Sequence, residues 1–140
     1  MLASEIMTKN PECCVRSDSA MTAAQLMKSE DVGPIPIVED KEEMKLTGIV
    51  TDRDLAIKVV AEARDPKTTP VEEVMSEGLV TCRENDDVQS VLQLMEENQL
   101  RRIPVVDKND HLKGIIAQAD VATRLGSTRV AGKVVQQVSQ

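Results

Sequence analysis

Gly48-Ile49-Val50-Thr51-Asp52-Arg53-Asp54 reads as the end of a buried strand running into the first turn of a helix, because an apolar pair gives way abruptly to hydroxyl and carboxylate. Such a helix start carries unpaired N–H groups and a partial positive charge, which a hydroxyl and a carboxylate can cap or extend toward a polyhydroxy, anionic ligand. Upstream lies a second β-rich run, Ile35-Pro36-Ile37-Val38, and both runs recur later. Ile103-Pro104-Val105-Val106 repeats the first, while Leu112, Gly114, Ile115, Ile116 and Asp120 repeat Leu46, Gly48, Ile49, Val50 and Asp54. The correspondence extends back through Ile6-Met7-Thr8 with Val74-Met75-Ser76, Cys14 with Cys82, Asp18 with Asp86, and Leu26-Met27 with Leu94-Met95. The chain is a tandem duplication of a unit of about 60 residues.

Each repeat predicts the same order of elements. Asp18 followed by Ala20, Ala23, Ala24 and Met27, and Asp86 followed by Val88, Val91, Leu92 and Met95, predict an acidic N-cap and then an amphipathic helix. Two strands follow, at 35–39 and 46–50 and again at 103–107 and 112–116, as antiparallel hairpins with charged loops. Helices at 52–63 and 118–125 close the repeats, and short extended pieces at 11–15 and 79–82 lead in. The predicted division is repeat 1 at 1–64, a linker at 65–70, repeat 2 at 71–125 and a tail at 126–140. Thr69-Pro70-Val71-Glu72 predicts a helix restart, with Thr69 as cap, Pro at the first position and Glu72 closing a capping box. In the tail, Val130, Val134, Val135 and Val138 stand at helical spacing and read either as an amphipathic helix or as a fraying end. Two units so tightly joined, each with a half-covered sheet, are expected to pack face to face with pseudo-twofold symmetry.

A chain of 140 residues buries roughly 68–70% of its unfolded surface, enough for a core without staples. Cys13, Cys14 and Cys82 do not form an extracellular disulfide pattern and fit a reducing, cytoplasmic setting. The first residues have neither a basic region nor an apolar run, and no segment approaches the ~18 apolar residues of a membrane span. A soluble protein with no membrane contact is expected. The net charge of −7 opposes attraction to nucleic acid. With no Phe, Tyr or Trp, a purine could only be held between aliphatic side chains.

Two copies of an Ile-Pro-apolar-Val strand, a hairpin and a Gly-apolar-apolar-Thr-x-x-Asp turn resemble a pair of CBS (cystathionine-β-synthase) domains, a Bateman module, of the stand-alone bacterial kind. The resemblance covers essentially residues 2–125. It implies an α+β fold of the α/β type, built from two helix-strand-strand-helix repeats. It also implies a regulatory, energy- or metabolite-sensing role in which an adenosine ligand such as AMP, ADP, ATP, NAD or S-adenosylmethionine binds in the cleft between the repeats. No cofactor is required, and a homodimer with a regulated protein partner is implied. Carried over residue by residue, Thr51, Asp54 and Asp120 would hold ribose, Arg101 and Arg102 phosphate. Val80, Thr81, Leu100, Glu12, Cys13 and Val32 would lie at the adenine edge.

Two departures matter: Ala117 replaces the hydroxyl in repeat 2, and Gly33-Pro34 replace the basic residues in repeat 1. The expected site is therefore asymmetric, with arginines from repeat 2 serving a nucleotide whose ribose Asp54 holds. Thr51 and Asp54 equally fit a simple capping box, and the two arginines equally fit side chains lying over Leu100 and Ile103. An alternative function is a structural or protein-interaction dimer with vestigial clefts. Cys13, Cys14, Cys82 and His111 have no zinc-ligand spacing, and no nucleophile stands beside a base, so neither a metal nor catalysis is expected.

Overall fold

A computed structural model describes residues 1–125; the tail 126–140, with its valines at helical spacing, lies outside the described residues. The elements follow in chain order. Helix α1 is Ala3–Ile6, strands β1 and β2 are Thr8–Lys9 and Cys14–Val15, and helix α2 is Ala20–Glu30. Strands β3 (Pro34–Val38) and β4 (Leu46–Thr51) form a hairpin that runs into α3 (Asp52–Leu55). After a single 3-10 turn at Val71–Glu73, the second repeat runs β5 (Cys82–Arg83), α4 (Val88–Asn98), β6 (Arg102–Val106), β7 (Leu112–Ala117) and α5 (Gln118–Leu125). The mixed α/β architecture and the duplicated order of elements agree with the expectation. Among the described residues no helix is long and apolar enough to cross a membrane.

The compact units are drawn differently from the sequence repeats. One unit comprises Met1–Pro11 together with the described chain from Val80 onward, and the other comprises Glu12–Leu79. In the first, the sheet order is β1-β7-β6-β5, with Thr8 opposite Ile115 and Lys9 opposite Gly114 in an antiparallel pair. In the second, the order is β2-β3-β4, and Ser76 pairs with Ile49 through Ile49 N–H to Ser76 O (3.0 Å) and Ser76 N–H to Ile49 O (2.8 Å). The leading segment of each repeat thus covers an open strand edge in the unit built around the other repeat, which leaves less backbone unpaired. The cores follow the same exchange. Ala3 and Ile6 pack with Leu92, Met95, Ile103 and Ile116, whereas Val71 and Val74 pack with Met27, Ile35, Ile37 and Val50.

Three local expectations are corrected. Asp18 and Asp86 do not cap the helices; each closes the preceding turn by accepting the N–H of Val15 (2.9 Å) or Arg83 (2.8 Å). The caps are the next residues, Ser19 accepting from Thr22 N–H and Asp87 from Gln89 N–H. The Thr69 restart is one 3-10 turn without a side-chain cap, because the Thr69 hydroxyl donates to Asp65 O (2.8 Å) and the chain is drawn into the Ser76 bridge. The linker at 65–70 is itself hydrogen-bonded to α2: Met21 and Ala20 donate their N–H groups to Pro66 O and Thr69 O. Finally, α3 gives way to a wider turn at Ala56–Val60, in which Ala61 N–H reaches back five residues to Ala56 O (2.9 Å).

Candidate functional site

In the unit formed by Glu12–Leu79, strand order brings the expected residues to one end of the sheet. Pro34 at the start of β3 lies opposite Thr51 at the end of β4, and β2 runs parallel to β3 with Cys14 beside Ile37. Glu12 and Cys13 just before β2, Val32 just before β3, and Thr51 with Asp54 just after β4 therefore share that end. Asp52 N–H donates to Gly33 O (3.0 Å), which ties the start of α3 to the turn before β3. Val32 is half-buried against the core, Cys13 is buried and Glu12 is exposed.

The carboxylate here is fully engaged. Thr51 Oγ1 accepts the Asp54 N–H (3.1 Å), Asp54 Oδ2 accepts the Thr51 N–H (3.0 Å), and Asp54 Oδ1 lies 3.1 Å from Lys58 Nζ. The capping box anticipated as one of two readings is present. Lys58 was absent from the sequence-based set, although its i,i+4 spacing from Asp54 is the pattern that pairs side chains on one helix face.

The other unit repeats the arrangement with different occupants. Arg102 at the start of β6 lies opposite Ala117 at the end of β7, and Gln118 N–H donates to Arg101 O (2.8 Å). Cys82 sits beside Val105 in the parallel β5–β6 pair, so Val80 and Thr81 come to the same end as Leu100, Arg101, Arg102 and Asp120. Val80 and Leu100 are half-buried against the core, Arg102 is half-buried and Arg101 exposed. Asp120, in the first turn of α5, is half-buried, and its carboxylate has no hydrogen-bond or ion-pair partner among the described residues. Ala117 offers no side-chain acceptor to engage that helix start. The sequence-based set thus divides between the units, Asp54 in one and Arg101, Arg102 and Asp120 in the other.

The thiols are inert by environment. Burial, with Asp18 next in effect, pushes Cys14 up to about 12, and burial with Asp86 nearby does the same for Cys82. Burial also raises Cys13, against the opposing pull of Lys41. Only about one thiol in ten thousand is ionised at pH 8 for a pKa four units higher. Reaction with a chromogenic disulfide reagent at that pH should therefore leave Cys14 and Cys82 unlabelled in the folded protein, and all three thiols should react in guanidinium. Rapid labelling of Cys82 without denaturant would contradict its burial in the core. Among the described residues no group of three or more His, Cys, Asp or Glu side chains is placed to hold a metal ion.

The family model for the CBS domain matches residues 3–61 and 71–127. The chain belongs to the CBS domain family. Its relatives include the CBS domain-containing protein YhcV of Bacillus subtilis (strain 168), 38% identical over 138 residues, which are 99% of this chain and 91% of YhcV. Among solved structures, Hypoxic Response Protein I with two coordinated zinc ions is 35% identical, with a TM-score of 0.79 over 90% of this chain and 100% of that one. The CBS domain pair of protein MJ0100, in complex with 5′-methylthioadenosine and S-adenosyl-L-methionine, is 29% identical, with a TM-score of 0.75 over 90% of this chain and 96% of that one. These likenesses cover both repeats, and the present chain is a CBS pair.

Proposed function

We propose that this CBS pair binds an adenosine-containing small molecule, one of AMP, ADP, ATP, NAD or S-adenosylmethionine, and acts as a regulatory sensing module without catalysis of its own. The observation that carries this reading is the Asp120 carboxylate, half-buried and without a partner among the described residues, at the sheet end it shares with Val80, Thr81, Leu100, Arg101 and Arg102. A carboxylate accepts the two hydroxyls of a ribose, and guanidinium forks suit phosphate. Aliphatic Val80 and Leu100 offer an adenine the only kind of packing surface available to a chain without aromatic residues. The adenosine ligands of the related MJ0100 pair support the same choice. Calorimetric titration with each of the five ligands tests it, and a dissociation constant on the order of 10 μM is expected for a ligand of this size.

Absence of heat or thermal shift with all five would favour the other reading, a structural or protein-interaction dimer with vestigial sites. Its support is Asp54, already engaged, together with Ala117 and Gly33-Pro34. The case against catalysis rests on the buried thiols and on His111, which lies in the β6–β7 loop at the opposite end of the hairpin from Arg102 and Ala117. Ligand recovered intact after long incubation is the expected result.

A homodimer is part of the proposal. Its support is Ile57 and Val60, 46% and 75% exposed on one stretch of the wide turn after α3, an apolar pair that a second copy would cover. Val60→Glu is expected to shift sedimentation from dimer to monomer, whereas an unchanged dimer would place the interface elsewhere. Binding energy would then act by favouring one arrangement of the assembly, which a protein partner reads. Three free, buried cysteines suit a reducing, cytoplasmic setting.

A further inference from the structure

Asp54 and Asp120 occupy equivalent places in the two repeats but differ in availability. Both oxygens of Asp54 are taken, one by the Thr51 N–H at 3.0 Å and the other by Lys58 Nζ at 3.1 Å, and its side chain is only 13% exposed. Lys58 is held from its other side as well, donating to Val74 O at 3.0 Å. The wide turn at Ala56–Val60 carries this lysine, and wide turns of this type recur at functional sites because they re-aim one side chain relative to the helix before them. The equivalent position beside Asp120 is Arg124. That side chain is exposed and makes no ion pair with Asp120 among the described residues.

We propose that Lys58 latches Asp54, so that the adenosine ligand fills the Asp120 half first and reaches the Asp54 half only by displacing the Lys58 ammonium. This rests on the adenosine-binding reading and adds to it an order of filling and the residue that sets it. A ribose hydroxyl approaching Asp54 must replace a contact between two ionised groups with one whose donor is uncharged, so the exchange is unfavourable. The latch is nonetheless weak enough to open. The Lys58 side chain is 42% exposed, and a pair so close to water is worth little, about two- to fivefold in binding.

The test uses the full chain and 5′-methylthioadenosine, a neutral probe with no ionic attraction of its own for salt to screen. In an Asp120→Ala background, where residual binding reports the Asp54 half, Lys58→Met is expected to tighten calorimetric binding about two- to fivefold. Lys58→Arg, which keeps the charge, should not. Raising the salt concentration should tighten binding to the Asp120→Ala chain, where the ion pair is screened, and leave the Lys58→Met double variant unmoved. A purely structural lysine would lower the melting temperature through the lost Val74 bond without tightening binding. Unchanged or weaker binding by the Met variant, with the native chain still binding through Asp120, overturns the latch alone. No binding of any adenosine ligand to the native chain or to the variants overturns the adenosine reading, and the latch with it.

Discussion

Asp120→Ala is expected to weaken binding of the adenosine ligand by about thirty- to a hundredfold while leaving the melting temperature almost unchanged. Hydrogen bonds to a charged group contribute about 1.5–3 kcal/mol, and each 1.4 kcal/mol is a factor of ten in affinity. The carboxylate has no protein partner among the described residues, so its removal leaves no buried donor unsatisfied. Its remaining contribution is its place in the first turn of α5, worth a few tenths of a kcal/mol against the helix dipole. Calorimetry and thermal unfolding on the same preparation separate the two effects. Arg101→Ala supplies a contrast: it should weaken phosphate-bearing ligands and spare 5′-methylthioadenosine. Equal affinity of Asp120→Ala and the native chain for every ligand would remove Asp120 from the site.

Gly114→Ala should destabilise the protein by about 2–3 kcal/mol, and Gly48→Ala, its counterpart in the other repeat, by only about 1 kcal/mol. Both glycines lie in the last strand of a hairpin, where a leading segment crosses close against the backbone. At Gly114 an added Cβ would stand 2.7 Å from Thr8 O, a backbone atom held by the β1–β7 pairing, and 2.8 Å from Met7 Sδ. Relief requires β1 to move off the sheet, with loss of the Thr8 and Lys9 pairing. At Gly48 the nearest atom is Met75 Sδ at 2.5 Å, on a side chain that can rotate, and the backbone oxygen of Ser76 is farther away at 3.1 Å. The difference should appear as a melting temperature lower by about 3–7 °C for the Gly114 variant than for the Gly48 variant. Equal losses would show that β1 yields as easily as a methionine side chain.

Much of this architecture is legible from residue order, and the misreadings have particular causes. Both hairpins and both long helices follow from period and duplication, since Ile35-Pro36-Ile37-Val38 and Ile103-Pro104-Val105-Val106 can bury their apolar faces only as strands. The helix caps were displaced by one residue because Asp18-Ser19 and Asp86-Asp87 each offer two competent acceptors in a row, and the preceding turn takes the first. Thr69 failed as a cap for a related reason: its hydroxyl had a nearer carbonyl, Asp65 O, to bond. At the candidate site, the convergence of Val80, Thr81, Leu100, Arg101, Arg102 and Asp120 on one sheet end follows from the repeat pattern. The state of Asp54 does not, because the Thr51 pattern fits capping and ligand binding equally.

By itself, the sequence determined the duplication, the order of elements, the family and the residue types available to a ligand, because these rest on local periodicity and on spacing within each repeat. Tertiary structure alone decided two things. One was which sheet each leading segment completes: Ala3 with Ile6 and Val71 with Val74 present the same apolar pattern, and a pattern of that kind specifies burial without naming the surface it meets. The other was that Asp54 is closed by Thr51 and Lys58 while Asp120 has no partner among the described residues, since an ion pair depends on where a wide turn aims one flexible side chain. Spacing alone does not decide it, since Lys58 and Arg124 stand at the same i,i+4 distance from Asp54 and Asp120.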